Sequence, residues 1–404
     1  FFLLYYFFVN LIYPNFSFFE LDINYLKLFT AFIFTLIFST LLPTDFSKPS
    51  SIFLHIQFLL PILPMLVLYG SSDLPTEYMI MTLVSFLWLM QIRKIKIKPI
   101  FFQKISVNVL ILSLLGLSFI FITTEYLARG GLLNFNYYEI YTTRFLNIET
   151  EVNPLINYLS SFTGAVLLPF AIILSVIRRS VILCLLTLVA STMLFGITNH
   201  KAIIFYPFLS LFLYFFLSGK NAIKTMLFST LLLISVSIIL MLTLEEIGLF
   251  VTALGVRRIF FTPALLNFYY YEFFLDNAYV LWSNSKITLG LLDYPYSLSP
   301  AYLIGSNFLG NELSGANTGW LGSGYMHAGP IGLFLYASFI GIIFAYLDSC
   351  RAFLETRLIV SLTIVPIFIM LLSADFFSAL LTNGVLLALL LLCFISFNIK
   401  KPES

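Results

Sequence analysis

The run VILCLLTLVASTMLFGIT, from Val181 to Thr198, contains no charged residue and no proline. An α-helix rises about 1.5 Å per residue and the hydrocarbon core of a bilayer is about 30 Å thick, so this run is close to the length of one helical crossing. A strand of a membrane barrel would be shorter and would alternate in polarity. The run therefore predicts a transmembrane helix.

Similar apolar runs recur along the whole chain. The 404 residues are 60% hydrophobic, 18% aromatic and only 10% charged, and the mean hydropathy is +1.00, as expected for a protein whose surroundings are lipid. We predict an all-α polytopic membrane protein with about twelve transmembrane helices. Their approximate centres are Phe7, Phe34, Ile62, Val84, Leu112, Leu167, Val189, Ser210, Ser235, Ala337, Ile367 and Leu390.

Charge and cysteine usage exclude several classes of partner. The formal net charge is +2 and the basic residues are scattered between apolar runs, so nucleic acid is not an expected partner. Cys184, Cys350 and Cys393 show no paired spacing, and we expect neither a disulfide nor a metal cluster. Because the chain begins at Phe1 without a methionine, we expect a few residues to precede the first apolar run.

Basic residues in the short connections predict the orientation, because cytoplasmic connections are enriched in lysine and arginine. The connections expected in the cytoplasm carry Arg93, Lys94, Lys96, Lys98, Lys104, Arg178, Arg179, Lys220, Lys224, Arg351, Arg357, Lys400 and Lys401. Both termini are then cytoplasmic. Three segments are then expected together on the outer face of the membrane: Arg129 to Pro154, Asn199 to Lys201, and Glu245 to Gly329.

The segment from Glu245 to Gly329 is the one long interruption of the apolar pattern. We expect residues 1–244 to hold the first nine helices, residues 245–329 to form a large periplasmic catalytic loop with interfacial helices, and residues 330–404 to hold the last three helices. ATP and nucleotide sugars are not available outside the cytoplasm. A reaction there must take its energy from a substrate already carried across the membrane, which points to a polyprenyl-linked intermediate.

The predicted outer segments carry cations on a side where positive charge is normally depleted. They are Arg129, Arg144, Lys201, Arg257 and Arg258. Thr262 and Pro263 suit the cap and first position of a helix, so the adjacent arginines would precede a helix start, where free N–H groups and a guanidinium fork both bind phosphate. The alternative is that the arginines extend to lipid headgroups.

The next segment, Pro263 to Trp282, predicts an aromatic amphipathic helix at the membrane surface. Most of its rings are expected to be interfacial aromatics rather than sugar contacts. Glu272 and Asp276 are four residues apart, so both carboxylates share one helical face and either could accept a proton or bind sugar hydroxyls. Solvated surface charge is the alternative.

The tract from Gly315 to Gly332 is too rich in glycine for a plain helix and predicts close approach of the backbone. It has no lysine where a P-loop requires one. Asn317 and His327 are polar side chains of this tract that could contact a ligand. A histidine can act as a base, but His327 and His200 can equally be structural hydrogen-bonding residues, and His55 is expected to pack inside a helix.

The sequence also lacks the Asp-x-Asp pair that holds a divalent metal against a nucleotide diphosphate, and it has no HExxH motif. We therefore expect a reaction without a metal or another cofactor. The negative charge of a leaving pyrophosphate would be met by arginine, lysine and backbone donors.

Three parts of the sequence resemble the Wzy-type O-antigen polymerases, also called oligosaccharide repeat unit polymerases. They are Arg257-Arg258-Ile-Phe-Phe-Thr-Pro263-Ala-Leu-Leu-Asn267-Phe-Tyr-Tyr-Tyr-Glu272, then Ala316-Asn317-Thr318-Gly319-Trp320-Leu321-Gly322-Ser323-Gly324-Tyr325 with Gly329-Pro-Ile-Gly332, and Asn199-His200-Lys201. The resemblance implies a fold like that of O-antigen ligase and the GT-C glycosyltransferases. It also implies transfer of a growing glycan from undecaprenyl pyrophosphate to the non-reducing end of a lipid-linked repeat unit.

The resemblance further implies roles for single residues. Arg258, with Arg257 beside it, would hold the donor pyrophosphate, and Lys201 and Arg144 would add to this anion site. Asn317, Tyr270 and Tyr325 would contact substrate. His327 or Glu272 would be the general base, with an oxygen of the pyrophosphate as a third proton acceptor. The implied partners are donor and acceptor lipids, membrane lipids and a membrane protein that regulates chain length.

Two other functions share these features. An external glycosyltransferase such as a ligase would use the same donor and differ in its acceptor. A flippase or transporter of lipid-linked oligosaccharides would have a similar number of helices but should show charged groups facing a central cavity and an internal repeat. The predicted spans near Val189, Ser210 and Ser235 carry almost no charge.

Overall fold

The structure, a computed structural model, describes residues 2–12, 19–102, 105–136, 153–217, 222–310 and 314–395. The chain is 75% helical and contains no β-strand in these residues. A single isolated bridge joins Asp22 to Ser72. The prediction of an all-α protein is therefore confirmed.

The described residues form a series of α-helices. In chain order they are α1 (Phe2–Ile12), α2 (Tyr25–Leu41), α3 (Pro49–Ser71), α4 (Thr76–Ile92), α5 (Val107–Ala128), α6 (Leu155–Ile177), α7 (Val181–Thr198), α8 (Ala202–Phe216), α9 (Ala222–Thr243), α10 (Glu245–Thr252), α11 (Thr262–Asp276), α12 (Pro300–Phe308), α13 (Trp320–Ser349), α14 (Thr356–Leu372), α15 (Phe376–Leu381) and α16 (Val385–Leu392). Short 3₁₀ turns lie at Lys286–Thr288 and Cys350–Ala352.

Six helices in the described part of the chain are long and apolar enough to cross a membrane, which is the architecture of a polytopic membrane protein. They are α3, α5, α6, α7, α9 and α13, and α2, α4, α8 and α14 are shorter apolar helices. The last apolar run of the sequence is divided into α15 and α16, because Gly384 has a φ of +87° and ends the helical path. The count of about twelve spans stays a prediction.

The chain forms two compact units. The first comprises residues 1–97, 220–348 and 370–376, and the second comprises residues 98–219, 349–369 and 377–404. In the first unit large rings such as Trp320, Phe53 and Phe344 are fully buried. In the second unit Ile122 and Leu194 belong to a buried aliphatic cluster between α5, α6 and α7. The predicted division at residues 244 and 329 stays a prediction.

Three prolines in apolar runs are accommodated by π-helical turns. The turns are Phe58–Ile62 in α3, which contains Pro61, Thr163–Leu167 in α6, which precedes Pro169, and Ala253–Phe261 between α10 and α11, which precedes Pro263. Proline has no N–H and its ring clashes with the carbonyl four residues earlier. The wider π turn supplies the missing space, so the helix continues through the proline.

One consequence is that the predicted helix start at Thr262 is wrong. Residues 245–276 are helical throughout, Thr262 makes no capping hydrogen bond, and its backbone N–H donates to the carbonyl of Arg257. Because the π turn absorbs Pro263, the chain never leaves the helix there. Arg257 and Arg258 therefore lie inside a helix and have no free helix N-terminus beside them.

Candidate functional site

The two adjacent arginines lie in the first unit, on the π-helical segment Ala253–Phe261. This segment packs against the π turn of α3. The Tyr5 hydroxyl donates to the Leu59 carbonyl at 3.3 Å, and the ring of Tyr5 meets Phe260 edge-on with centroids 5.4 Å apart. Leu59 is near the middle of α3, which has 23 residues. The segment that carries the arginine pair therefore packs near the middle of a span-length helix.

The two arginines differ in their burial. The Arg258 side chain is exposed, and no acidic partner for it exists among the side chains that the structure describes. Arg257 is half-buried. A cation among span-length apolar helices is costly in lipid and usually faces water, an anion or a substrate path. Arg258 is therefore the candidate anion-binding residue of this unit.

Glu272 and Asp276 both lie on α11 and are exposed, so the predicted shared carboxylate face is confirmed. Partial burial raises the pKa of the Glu272 carboxyl above its ordinary value. Fourteen helical positions separate Glu272 from Arg258, which corresponds to roughly 20 Å along the helix axis. In this arrangement the two residues do not meet at one reacting bond.

Helix α11 is not the surface helix that its sequence predicts. It ends at Asp276 rather than at Trp282, and buried residues lie on most of its circumference. Phe268 and Tyr271 pack against Tyr78 of α4, with ring centroids 5.5 and 4.8 Å away. Phe268, Tyr270, Tyr271 and Phe274 are buried in the first unit, whereas Tyr279 is exposed.

Asn267 holds the glycine-rich tract against α11. Its Oδ1 accepts from the Thr318 hydroxyl at 2.9 Å and from the Gly322 N–H at 2.8 Å, while its Nδ2 donates to the Pro263 carbonyl at 2.7 Å. One turn along α11, the Tyr270 hydroxyl donates to the Ala316 carbonyl at 3.0 Å. The start of α13 is therefore fixed by two side chains of α11.

The glycine-rich tract is helical from Trp320 onward and is interrupted within α13 at Ala328 and Gly329. Gly329 has a φ of +58°, a conformation that glycine adopts without strain. The bend brings Gly324 and Gly332 so close that an added Cβ at Gly332 would overlap the Gly324 carbonyl oxygen. The predicted close approach of the backbone is confirmed.

His327 is the centre of a polar network beside this bend. Its Nε2 lies 3.0 Å from Oδ1 of Asp375, and its Nδ1 accepts the backbone N–H of Trp282 at 3.0 Å. The Tyr336 hydroxyl donates to the same Asp375 oxygen at 2.7 Å and accepts the Trp282 indole N–H at 2.8 Å. The Trp282 ring stacks on the imidazole with centroids 5.0 Å apart. Four residues from distant parts of the first unit thus close one network.

The network fixes the state of the imidazole. Because Nδ1 accepts a backbone N–H, the proton is on Nε2, where it is donated to Asp375, and the ring is neutral. The side chain is 1% exposed. Both ring nitrogens are engaged, so His327 can take a proton from a substrate only if Trp282 moves away. The geometry fits a positioning role, and the predicted catalytic role of His327 stays a prediction.

Leu281 and Trp282 carry backbone strain at this site. Their φ angles are +49° and +59°, a region that non-glycine residues rarely enter. Such strain costs on the order of 1–3 kcal/mol per residue and concentrates at functional sites. The hydrogen bonds that Trp282 donates to His327 and Tyr336 offset this cost.

The predicted substrate-contacting residues differ in accessibility. Asn317 is exposed. Tyr270 and Tyr325 are 3% and 2% exposed, and Tyr325 packs against Tyr78, Tyr271 and Tyr279. In this structure the two buried tyrosines make contacts within the protein, whereas the Asn317 side chain is exposed.

The other predicted cations belong to the second unit or lie outside the described residues. Lys201 lies in the second unit, just after Asn199, whose φ is +56°. In the same unit Arg129 pairs with the buried Glu125 at 2.7 Å and donates to Asn157, which makes it a structural cation. Arg144 lies outside the described residues. A site shared by Lys201 and Arg258 stays a prediction.

The structure also defines the environments of His55 and of the three cysteines. His55 is buried in α3 and its Nδ1 bonds the Ser51 carbonyl, so the predicted packed helix residue is confirmed. The three cysteines are free thiols. Within the described ranges no group of three or more histidine, cysteine or acidic residues could hold a metal ion.

Asp375, Trp282, Tyr336 and Asn267 are site residues that the sequence analysis did not select. Asp375 is 48 residues from His327 in the chain, so no local spacing links them. The available signal was a lone acidic residue in an apolar C-terminal region.

Comparison with known proteins finds no matching family model, no similar curated protein and no similar solved structure.

Proposed function

We propose that this chain is a glycosyltransferase that polymerises lipid-linked oligosaccharide repeat units of the O-antigen or capsule type. The donor is a glycan on undecaprenyl pyrophosphate, and the acceptor is the non-reducing end of a second lipid-linked repeat unit. The reaction occurs at the periplasmic face of a bacterial inner membrane, with both termini in the cytoplasm and about twelve spans. A fold of the GT-C type and a membrane partner that regulates chain length belong to the same proposal.

The observation that carries the proposal is the position of Arg258. Its side chain is exposed, and it lies on a helical segment that packs against α3 in a unit built from apolar helices. A polyprenyl pyrophosphate combines a hydrocarbon chain with an anionic head, so an exposed cation beside apolar helices is suited to bind the head while the chain stays in lipid. An arginine fork matches phosphate oxygens bidentately.

The proposed transfer breaks the bond between the anomeric carbon of the donor glycan and the pyrophosphate oxygen. A hydroxyl oxygen of the acceptor sugar forms the new glycosidic bond, and undecaprenyl pyrophosphate leaves with the bonding electron pair. Arg258 stabilises the charge that develops on the pyrophosphate. The hydroxyl proton goes to an oxygen of the leaving pyrophosphate, because His327 has both nitrogens engaged and Glu272 lies roughly 20 Å from Arg258 along the helix.

The glycan profile of cells tests this function against its two alternatives. Deletion of the chain should leave single repeat units on the lipid A core, and a plasmid copy should restore the polymer. A complete lack of glycan on the core would instead indicate a ligase. Accumulation of lipid-linked repeat units on the cytoplasmic side would indicate a flippase. Either of these two results overturns the proposal.

A further inference from the structure

A four-residue turn, which we call the latch turn, spans residues 280–283 beside the bend in α13. The Ser283 N–H donates to the Val280 carbonyl at 3.0 Å and closes the turn. Both central residues, Leu281 and Trp282, have positive φ angles, as in a type I′ turn, where glycine, asparagine and aspartate predominate. Leucine and tryptophan adopt this conformation only at a cost. Contacts outside the turn must therefore hold it in this form.

His327 provides two of these contacts. Its backbone carbonyl accepts the N–H of Leu281 at 3.2 Å, and its Nδ1 accepts the N–H of Trp282 at 3.0 Å. The Val280 N–H donates to the neighbouring Met326 carbonyl at 3.0 Å. The N–H groups of both strained residues thus end on one histidine. The two acceptors differ, because an imidazole nitrogen can bind a proton in the physiological pH range and a carbonyl cannot.

The groups around the imidazole can accommodate a positive charge. Asp375, in the segment after α14, faces Nε2 at 3.0 Å, and its side chain is 15% exposed, whereas that of His327 is 1% exposed. Tyr336 of α13 packs edge-on against the ring and donates to the same carboxylate. Tyr270 of α11 also interacts electrostatically with Asp375. Of these groups only Asp375 is charged at neutral pH, and its negative charge favours an imidazolium.

We infer that the latch turn is a pH-sensitive switch that opens when Nδ1 of His327 binds a proton. In the closed turn Nδ1 carries no hydrogen, because it accepts the Trp282 N–H. A proton on Nδ1 places two donors face to face, so the Trp282 N–H loses its acceptor and the strained backbone relaxes. Since the closed turn excludes this proton, acidification favours the open turn and loosens the attachment of residues 277–299 to α13. This inference does not depend on the proposed function.

The test observes the backbone amide of Trp282 by NMR in the full chain. The protein is labelled with nitrogen-15 at its three tryptophans and held in detergent micelles, and Trp282→Phe assigns the signal. Hydrogen-exchange protection, corrected for the intrinsic pH dependence of exchange, is compared at about pH 7.5 and about pH 5, because histidine changes its charge in this range. Trp88, inside α4, is the internal reference.

We expect the protection of the Trp282 amide to fall at least about ten-fold at the lower pH, a factor that one hydrogen bond can supply, while that of Trp88 is unchanged. His327→Gln does not titrate and should show no such fall. His55→Gln is the matched control and should respond like wild type, because His55 is also buried but its Nδ1 bonds a carbonyl. Unchanged Trp282 protection in wild type, or the same fall in His327→Gln, overturns the inference.

A second measurement on the wild type decides the question if His327→Gln does not fold. Nitrogen-15 labelling of the three histidines reports the pH at which Nδ1 of His327 gains its proton. This midpoint should coincide with the loss of Trp282 protection, and separate midpoints overturn the inference. Equal loss of protection at Trp88 also overturns it, since acid would then unfold the first unit rather than open one turn.

Discussion

Nε2 of His327 lies 3.0 Å from Oδ1 of Asp375, and this contact ties α13 to the segment that follows α14. Asp375 also accepts the Tyr336 hydroxyl. The carboxylate therefore holds both side chains to which Trp282 is bonded. Its removal should loosen the strained backbone at Leu281 and Trp282.

We predict that Asp375→Asn destabilises the protein by about 1.5–3 kcal/mol, because two hydrogen bonds to a charged acceptor are weakened. The measurements are thermal unfolding in detergent and the rate of proteolytic cleavage within residues 277–299, which should increase. Asp276→Asn, on the exposed face of α11, is the matched control and should change neither. If the two variants have the same unfolding temperature and the same cleavage rate, Asp375 does not have this structural role.

Asn267→Leu should cost about 3 kcal/mol, because the buried Thr318 hydroxyl and Gly322 N–H lose their acceptor. Asn277→Leu removes an exposed hydrogen bond to the Phe273 carbonyl at the end of the same helix and serves as the control. Chemical unfolding of both variants compares their stabilities. If Asn267→Leu is as stable as its control, the tract is held by other contacts.

Gly332→Ala should destabilise the protein by at least about 2 kcal/mol or straighten α13, since the new Cβ overlaps the Gly324 carbonyl oxygen. Gly116→Ala is the opposite case, because nothing lies within 4 Å of the added carbon in the middle of α5. That variant should gain about 0.5–1 kcal/mol from helix propensity. Similar stability of the two variants would contradict the packing at the bend.

Glu272→Gln should retain near-normal turnover, because Glu272 lies far along the helix from Arg258. The raised pKa of Glu272 means that folding disfavours its charged form. Wild type should therefore be less stable than Glu272→Gln by less than about 0.5 kcal/mol at neutral pH, after screening by solvent. This difference should vanish as the pH falls below the ordinary value of 4.5. If Glu272→Gln instead loses turnover and its residual turnover does not depend on pH, Glu272 is the base.

The sequence predicts the helical class and the apolar runs because both depend on local composition. The prediction from sequence is wrong at Pro263. The pair Thr262-Pro263 is typical of a helix start, but here a π turn precedes the proline and the helix is continuous. The prediction is also wrong for α11, since aromatic residues serve equally well in an interior and at a membrane interface. The network of His327, Trp282 and Asp375 is beyond prediction from spacing, because its members are 45 and 48 residues apart.

In vitro elongation tests the central claim most directly. The purified chain is supplied with undecaprenyl pyrophosphate-linked repeat units, without nucleotide and with EDTA, and the products are resolved by length. Wild type should form a ladder of polymers, Arg258→Ala should reduce the rate by about ten- to a hundred-fold, and Arg258→Lys should recover little of it because the bidentate fork is lost. The account is contradicted if wild type yields no polymer, or if Arg258→Ala produces the wild-type ladder at the wild-type rate.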